Sequence, residues 1–154
     1  MKYYYFLFLM VFFVSCTSDG SKSKSHPGWN TNLEESIKTA GSENKYVFAL
    51  FTGSDWCPPC KKLEADVLET EQFKKLADEK FVNLVFDFPR KPENQLTPEL
   101  AQYNNENAQK YSIEGFPTVI IFDKTGRELK RWVGYMPAPT EATLNEYKAV
   151  LNSY

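Results

Sequence analysis

Cys57 and Cys60 stand two residues apart in "SDWCPPCKKL", residues 54–63, with Trp56 before the pair and Pro58 and Pro59 inside it. A pair at this spacing serves as a structural disulfide, as half of a metal site, or as a dithiol that opens and closes during a reaction. A structural zinc site takes four Cys or His ligands, and beyond Cys16 and His26 near the N-terminus the chain has no other. No metal site is expected. A structural bridge is the serious rival, although closing so short a loop removes little chain entropy from the unfolded state. A redox dithiol needs one exposed thiolate of lowered pKa and a second thiol close behind it.

The elements around the pair suit that third use. "KYVFALFT" is a continuous apolar run, the pattern of a strand buried on both faces, and the cysteines follow it directly at the start of a helical pattern. Cys57 would then be the N-cap, where helix-end N–H groups and the positive end of the dipole favour a thiolate, with Cys60 one turn further in and more buried. Pro58 and Pro59 fit the first turn, where a missing N–H costs least, and leave the amide of Cys60 as the direct donor to the Cys57 sulfur. Lys61 and Lys62 favour the thiolate; Asp55 opposes it.

The remaining elements read in order. "NTNLEESIKTAGSENK" is a short amphipathic helix with Leu33, Ile37 and Ala40 on one face. The helical pattern after Cys57 reaches about Lys80 with a break at "LETEQ". "FVNLVFDF" is a second buried strand. "TPEL" opens a helix to about Tyr111 with threonine as N-cap and proline behind it. "PTVIIFD" and "ELKRWVGY" flank the tight turn "KTG", and a last helix covers about Thr140 to Asn152. This order, a βαβ unit joined to a ββα unit, predicts an α/β domain with a central mixed sheet between helices.

The chain has 154 residues, 42% of them hydrophobic, which suits one core, and its 18 basic and 20 acidic residues make no field of one sign for nucleic acid. The opening "MKYYYFLFLMVFFVSC" has a basic residue and then an apolar run too short to span a membrane, the pattern of a secretory signal. Residues 17–28 are polar and Pro/Gly-containing, a tether with a reach of ~20 Å that leaves His26 solvent-exposed. The domain proper is expected from Trp29 to Tyr154.

Two resemblances add to this reading. "FVSC" resembles a bacterial lipobox, with Phe13 where leucine is usual; it implies cleavage before Cys16, a lipidated Cys16, and a signal peptide at residues 1–15. "FTGSDWCPPCKKLE" resembles the active-site segment of the thioredoxin superfamily, and "YSIEGFPTVIIFDKTGRELKRWVGY" its second signature. The likeness covers residues 30–154 and implies the thioredoxin fold and a thiol–disulfide oxidoreductase in which Cys57 attacks and Cys60 resolves. It implies a cis Pro117 facing the cysteines, Phe116 as the residue whose backbone pairs with a substrate chain, Trp56 beside the nucleophile, and Gly134 leaving room for a bound polypeptide. It requires no cofactor beyond the redox-active disulfide. The partners implied are exported proteins with thiols or disulfides, a membrane electron-transfer protein, and the membrane itself through the lipid anchor, with the chain a monomer facing the periplasm of a bacterial envelope.

The chain departs from the family at one point. The buried aspartate usual on the strand before the active site is replaced by Leu50 or Phe51, and the "TGSDWC" loop is one residue longer. Proton removal from Cys60 then falls to water, Asp55 or Glu64. Family potentials run from about −270 to about −120 mV, so direction stays open, with reduction or exchange preferred. The alternative is a thioredoxin-fold assembly factor that holds client thiols, for cytochrome c or metal-centre maturation, with little general turnover; a third reading is an envelope protein with an inert bridge.

Overall fold

A computed structural model describes residues 25–154. Its elements are α1 (Leu33–Glu43), β1 (Tyr46–Thr52), α2 (Pro58–Leu63), α3 (Glu71–Lys80), β2 (Phe81–Asp87), α4 (Pro98–Lys110), β3 (Thr118–Phe122), β4 (Glu128–Val133) and α5 (Thr140–Ser153). The strands form one mixed sheet in the order β2-β1-β3-β4, with β1 parallel to β2 and antiparallel to β3. This is the arrangement read from the sequence. Cys16 and the signal and lipidation segments lie outside the described residues.

The alternation of side chains along β1 divides the core in two. Phe48 and Leu50 face Leu63, Val67, Phe73, Leu76 and, from α5, Leu144 and Tyr147. Val47, Ala49 and Phe51 face the other way, toward Leu33 and Ala40 of α1 and Tyr103 and Tyr111 at α4. Helices therefore cover both faces, which is why β1 carries no polar position before Thr52. Phe51 and Phe86 stack across the β1–β2 pair, ring centroids 4.4 Å apart.

Local signals set the helix ends. Asn32 Oδ1 accepts the Glu35 N–H at 2.8 Å, and Thr97 Oγ1 accepts the Leu100 N–H at 3.3 Å with Pro98 in the first turn. The β3–β4 turn closes at Gly126, whose φ of +85° suits a residue without Cβ. The break expected at "LETEQ" is a wide helical turn at Glu64–Leu68 followed by the Thr70 N-cap of α3.

The exposed placement expected for His26 is corrected. Trp29 packs edge-on to Phe48 and stacks on Phe73, with ring centroids 6.0 and 6.4 Å away. The Trp29 N–H donates to the His26 carbonyl at 3.1 Å, so the preceding turn is drawn onto the domain and His26 is only 8% exposed. Burial of one large aromatic side chain overrides the polar composition around it. Asn30 continues the contact as a parallel bridge to Leu84 along the outer edge of β2.

Candidate active site

The parallel β1–β2 pair ends at one pole of the sheet, where Thr52 lies opposite Asp87, and the chain then turns through Gly53–Trp56 into α2. Cys57 and Cys60 form a disulfide there, with Cα atoms 5.3 Å apart. Cys57 is the N-cap of α2 and its Sγ accepts the Cys60 N–H at 3.3 Å, while Pro58 and Pro59 occupy the first turn without an N–H to offer. The donor arrangement expected from the two prolines is present. The exposed nucleophile is not: in the disulfide form Cys57 is 3% exposed and Cys60 1%. Trp56, the residue before the N-cap, is pinned against the neighbouring 88–90 segment.

That pinning comes from residues far away in sequence. Trp56 Nε1 donates to the Phe88 carbonyl at 2.7 Å, and its ring lies under the Arg90 guanidinium, 3.5 Å from the ring centroid. Gly53 is what lets the indole fold back, since a Cβ there would meet Trp56 Cε2 at 2.5 Å. Asp55 accepts the Arg90 and Lys91 N–H groups and Asn94 Nδ2 at 3.0, 2.9 and 3.1 Å. Desolvation would raise the Asp55 pKa, but these bonds and the Lys91 charge outweigh it and hold the carboxyl at about 2. Asp55 is therefore a loop anchor whose lone pairs are in use, and Lys61 Nζ donates to its carbonyl at 3.0 Å. Asp87, 5% exposed, accepts both the N–H and the hydroxyl of Ser54.

The second signature arrives at the same pole by way of β3. The Phe116–Pro117 peptide bond is cis. The Phe116 ring packs on Phe88 and edge-on to Trp56, centroids 5.0 and 6.0 Å away, which brings the two signatures together. The Pro117 carbonyl accepts the Gly134 N–H at 2.7 Å. Gly134 has φ +75° and open space where a Cβ would be, between Val133 and Tyr135 at the end of β4. A cleft of about 600 Å³ runs from Pro59 past Val133, Gly134 and Met136 to Trp132. Val133 and Met136 are 59% and 87% exposed beside it.

Of the residues singled out from the sequence, Cys57, Cys60, Trp56, Pro58, Pro59, Phe116, Pro117 and Gly134 all lie at this pole. Gly53, Ser54, Asp87, Arg90 and the 88–97 loop were missed. Only the extra residue in "TGSDWC" hinted at a different loop. Among the described residues no cluster of His, Cys, Asp and Glu could hold a metal ion, and no helix is long and apolar enough to cross a membrane.

A mixed sheet with a helix-capping CxxC and an adjacent cis-proline loop defines the thioredoxin class, and a thioredoxin-like domain profile matches residues 33–148; the chain belongs to that family. Among its relatives, the disulfide bond reductase DsbH of Chlamydia pneumoniae is 32% identical over 117 residues, covering 76% of this chain and 69% of that protein. The thioredoxin-related protein DsbJ of the same organism is 27% identical over 104 residues, 67% of this chain but only 29% of DsbJ. A solved structure of a DsbH oxidoreductase superposes with a TM-score of 0.73 at 28% identity, covering 86% of this chain and 87% of that one. A Thermus thermophilus thioredoxin shares the fold, TM-score 0.57 at 23% identity over 79% and 85% of the two chains. With these relatives and its own CxxC bridge, the chain is a thiol–disulfide oxidoreductase.

Proposed function

We propose that the chain is a lipid-anchored reductase of the bacterial cell envelope that reduces or exchanges disulfides in exported proteins. The observation that carries the chemistry is the Cys60 N–H on Cys57 Sγ at the N-terminus of α2, where a developing thiolate meets a donor and the positive helix end. The likeness to DsbH, a disulfide bond reductase, supports the reducing direction.

In the forward reaction the Cys57 thiolate attacks a client disulfide and forms a mixed disulfide, and Cys60 then displaces the client and closes the bridge. The client lies along the Pro59–Val133–Gly134–Met136 cleft, its backbone beside Phe116. Glu64 takes the part of the absent strand aspartate. It follows Cys60 by four residues, its N–H donates to the Cys60 carbonyl, and it is the close carboxylate not consumed by a loop. A membrane dithiol partner returns two electrons and two protons to the bridge. Cys16 supplies the anchor and the envelope location.

Burial of Cys57 favours a second reading, in which access is so restricted that few clients are served and the protein acts as an assembly factor holding client thiols. The two are separated by following insulin reduction with dithiothreitol as the electron source. Turnover well above the uncatalysed rate supports the reductase. Stoichiometric trapping by a Cys60→Ala variant without general turnover supports the assembly factor, and neither result leaves an inert bridge.

A further inference from the structure

The segment that leads into the domain makes a contact with the active-site helix that the exchange steps above do not use. His26 Nε2 lies 3.2 Å from Glu64 Oε1, with the side chains 8% and 20% exposed. Both atoms are shut off from solvent, and they stand at ion-pair distance without the alignment of a hydrogen bond. The imidazole is held from two other directions: Nδ1 is 3.0 Å from Ser25 Oγ, and the ring lies 5.1 Å from that of Trp29, itself wedged against Phe48 and Phe73. A surface histidine needs no such seating. Glu64 sits one turn beyond Cys60, so their Cβ atoms are about 6 Å apart on one helix face, and a helical side chain leans back over the turn before it. His26 and Glu64 both border a groove of about 430 Å³ with Glu69, Lys74 and Asp78 on its walls.

We propose that His26 is a positioning residue for the resolving step: it orients the Glu64 carboxylate toward Cys60 and passes the Cys60 proton on to the groove, so that the docked 25–29 turn is part of the active site. The proposal rests on the exchange chemistry described above and adds an N-terminal residue to it. As Cys60 Sγ attacks Cys57 Sγ, the Cys60 proton goes to Glu64. The Cys57–Cys60 S–S bond forms from the Cys60 electron pair, the Cys57–client S–S bond breaks, and the client sulfur leaves as a thiolate with that bond's pair. Glu64 gives the proton to His26, which releases it to water in the groove. No outside oxidant or reductant enters this step. The core position where the family keeps an aspartate is apolar here, with Leu50 and Phe51 both buried, so the carboxylate has to approach from the helix side, and a helix-side carboxylate needs a fixed neighbour to aim it.

The test uses the full chain, reduced, reacting with Ellman's reagent in stopped flow. The first thionitrobenzoate released reports attack by Cys57, and the second reports resolution by Cys60. His26→Phe keeps a ring against Trp29 and removes both nitrogens; His26→Gln keeps a polar contact to Glu64 but cannot take up a proton. Both are expected to leave the first release unchanged and slow the second about tenfold, a fraction of what a general base contributes. Glu64→Gln should slow the second release at least as much, and adding His26→Phe to it should cost nothing further. An unaltered second release in both histidine variants, equal slowing of both phases, or additive effects with Glu64→Gln would overturn the role of His26. A wild-type chain that releases only the first thionitrobenzoate would instead sink the exchange reading itself.

Discussion

Asp87, the last residue of β2, accepts two hydrogen bonds from Ser54 in the active-site loop, the backbone N–H at 3.0 Å and the hydroxyl at 2.7 Å. Its backbone carbonyl also accepts Asn104 Nδ2 at 2.8 Å, so one buried residue ties the loop before Cys57 to β2 and to α4. Removing the carboxylate leaves the Ser54 groups without their acceptor inside the domain. Asp87→Ala is expected to lose about 2–3 kcal/mol by urea denaturation, whereas Asp87→Asn, which keeps an acceptor and a donor for Ser54, should lose about 1 kcal/mol. Equal losses in the two variants would mean that the carboxylate matters only as volume.

Asp55 and Asp123 give the domain an acid-sensitive component. Each has its carboxyl lowered from 3.8 to about 2. For Asp123, desolvation is outweighed by hydrogen bonds from Thr125 and Arg127 within the β3–β4 turn. A folded pKa below the unfolded one stabilises the fold above about pH 4, and the contribution fades as pH falls toward 2. Wild type should therefore exceed Asp55→Asn in stability at pH 6 and converge with it near pH 2, and the same should hold for Asp123→Asn. The two effects should add, because β1 and β3 are antiparallel and the residues lie at opposite ends of the sheet. A gap between wild type and variant that stays constant from pH 6 to pH 2 would remove the linkage.

Gly53→Ala tests the seating of Trp56. The new methyl would overlap the indole, with Cε2 2.5 Å away, and force the ring off the Phe88 carbonyl and out from under Arg90. The expected loss is about 1–3 kcal/mol, the usual cost of overpacking. Disulfide exchange should slow with it, since the displaced ring also loses its contact with Phe116. Adding Trp56→Phe shrinks the obstructing ring and should recover part of the stability. If Gly53→Ala retains wild-type stability and rate, the close approach has no functional weight.

The sequence made the sheet and the central pair legible because both are written in local patterns. Residues 46–51 carry no polar position on either face, the pattern of a strand covered by helices on both sides. The Cys57 cap was visible because two prolines leave a single amide to meet the sulfur. The second half of the site was not legible in this way. Ser54 and Asp87 are 33 residues apart, and Trp56 and Arg90 slightly farther; they meet only because β1 and β2 are parallel in a register that sets Thr52 opposite Asp87. Polar residues in loops carry no periodicity from which such pairing can be read. His26 was misplaced for a related reason: its window is polar on average, while its position is decided by Trp29 three residues on.

Cys16 lies outside the described residues, and its proposed role can be checked directly. Metabolic labelling with a palmitate analogue is expected to mark the wild-type chain in a bacterial host, and Cys16→Ser should abolish the label and release soluble or unprocessed protein. Two or three acyl chains, at about 0.8 kcal/mol per buried CH₂, would hold the chain permanently at the membrane. Equal labelling of wild type and variant would leave the chain without a lipid anchor on this cysteine.

The division of labour between the two cysteines yields the most discriminating expectation. Their exposure in the disulfide form does not separate them, at 3% and 1%, so the assignment rests on position in α2. Cys57 precedes the helix, and its Sγ accepts the Cys60 N–H, the one amide that the two prolines leave in the first turn, which favours its thiolate. Cys60 lies within the first turn, where its own N–H is already donated and its side chain points into the domain. Cys60→Ala should therefore accumulate mixed disulfides with client proteins through Cys57, visible on non-reducing gels and lost on adding dithiothreitol. Cys57→Ala should trap little, because a thiol inside the first turn, behind Pro58 and Pro59, lacks the helix-end donor that favours a thiolate at Cys57. Acid should also affect them differently: alkylation of reduced Cys57 by iodoacetamide in the Cys60→Ala variant is expected to persist to lower pH than alkylation of Cys60 in Cys57→Ala. Equal trapping and coincident alkylation profiles would show that the helix N-terminus does not distinguish the two sulfurs, and the order of attack and resolution would then have to be reassigned.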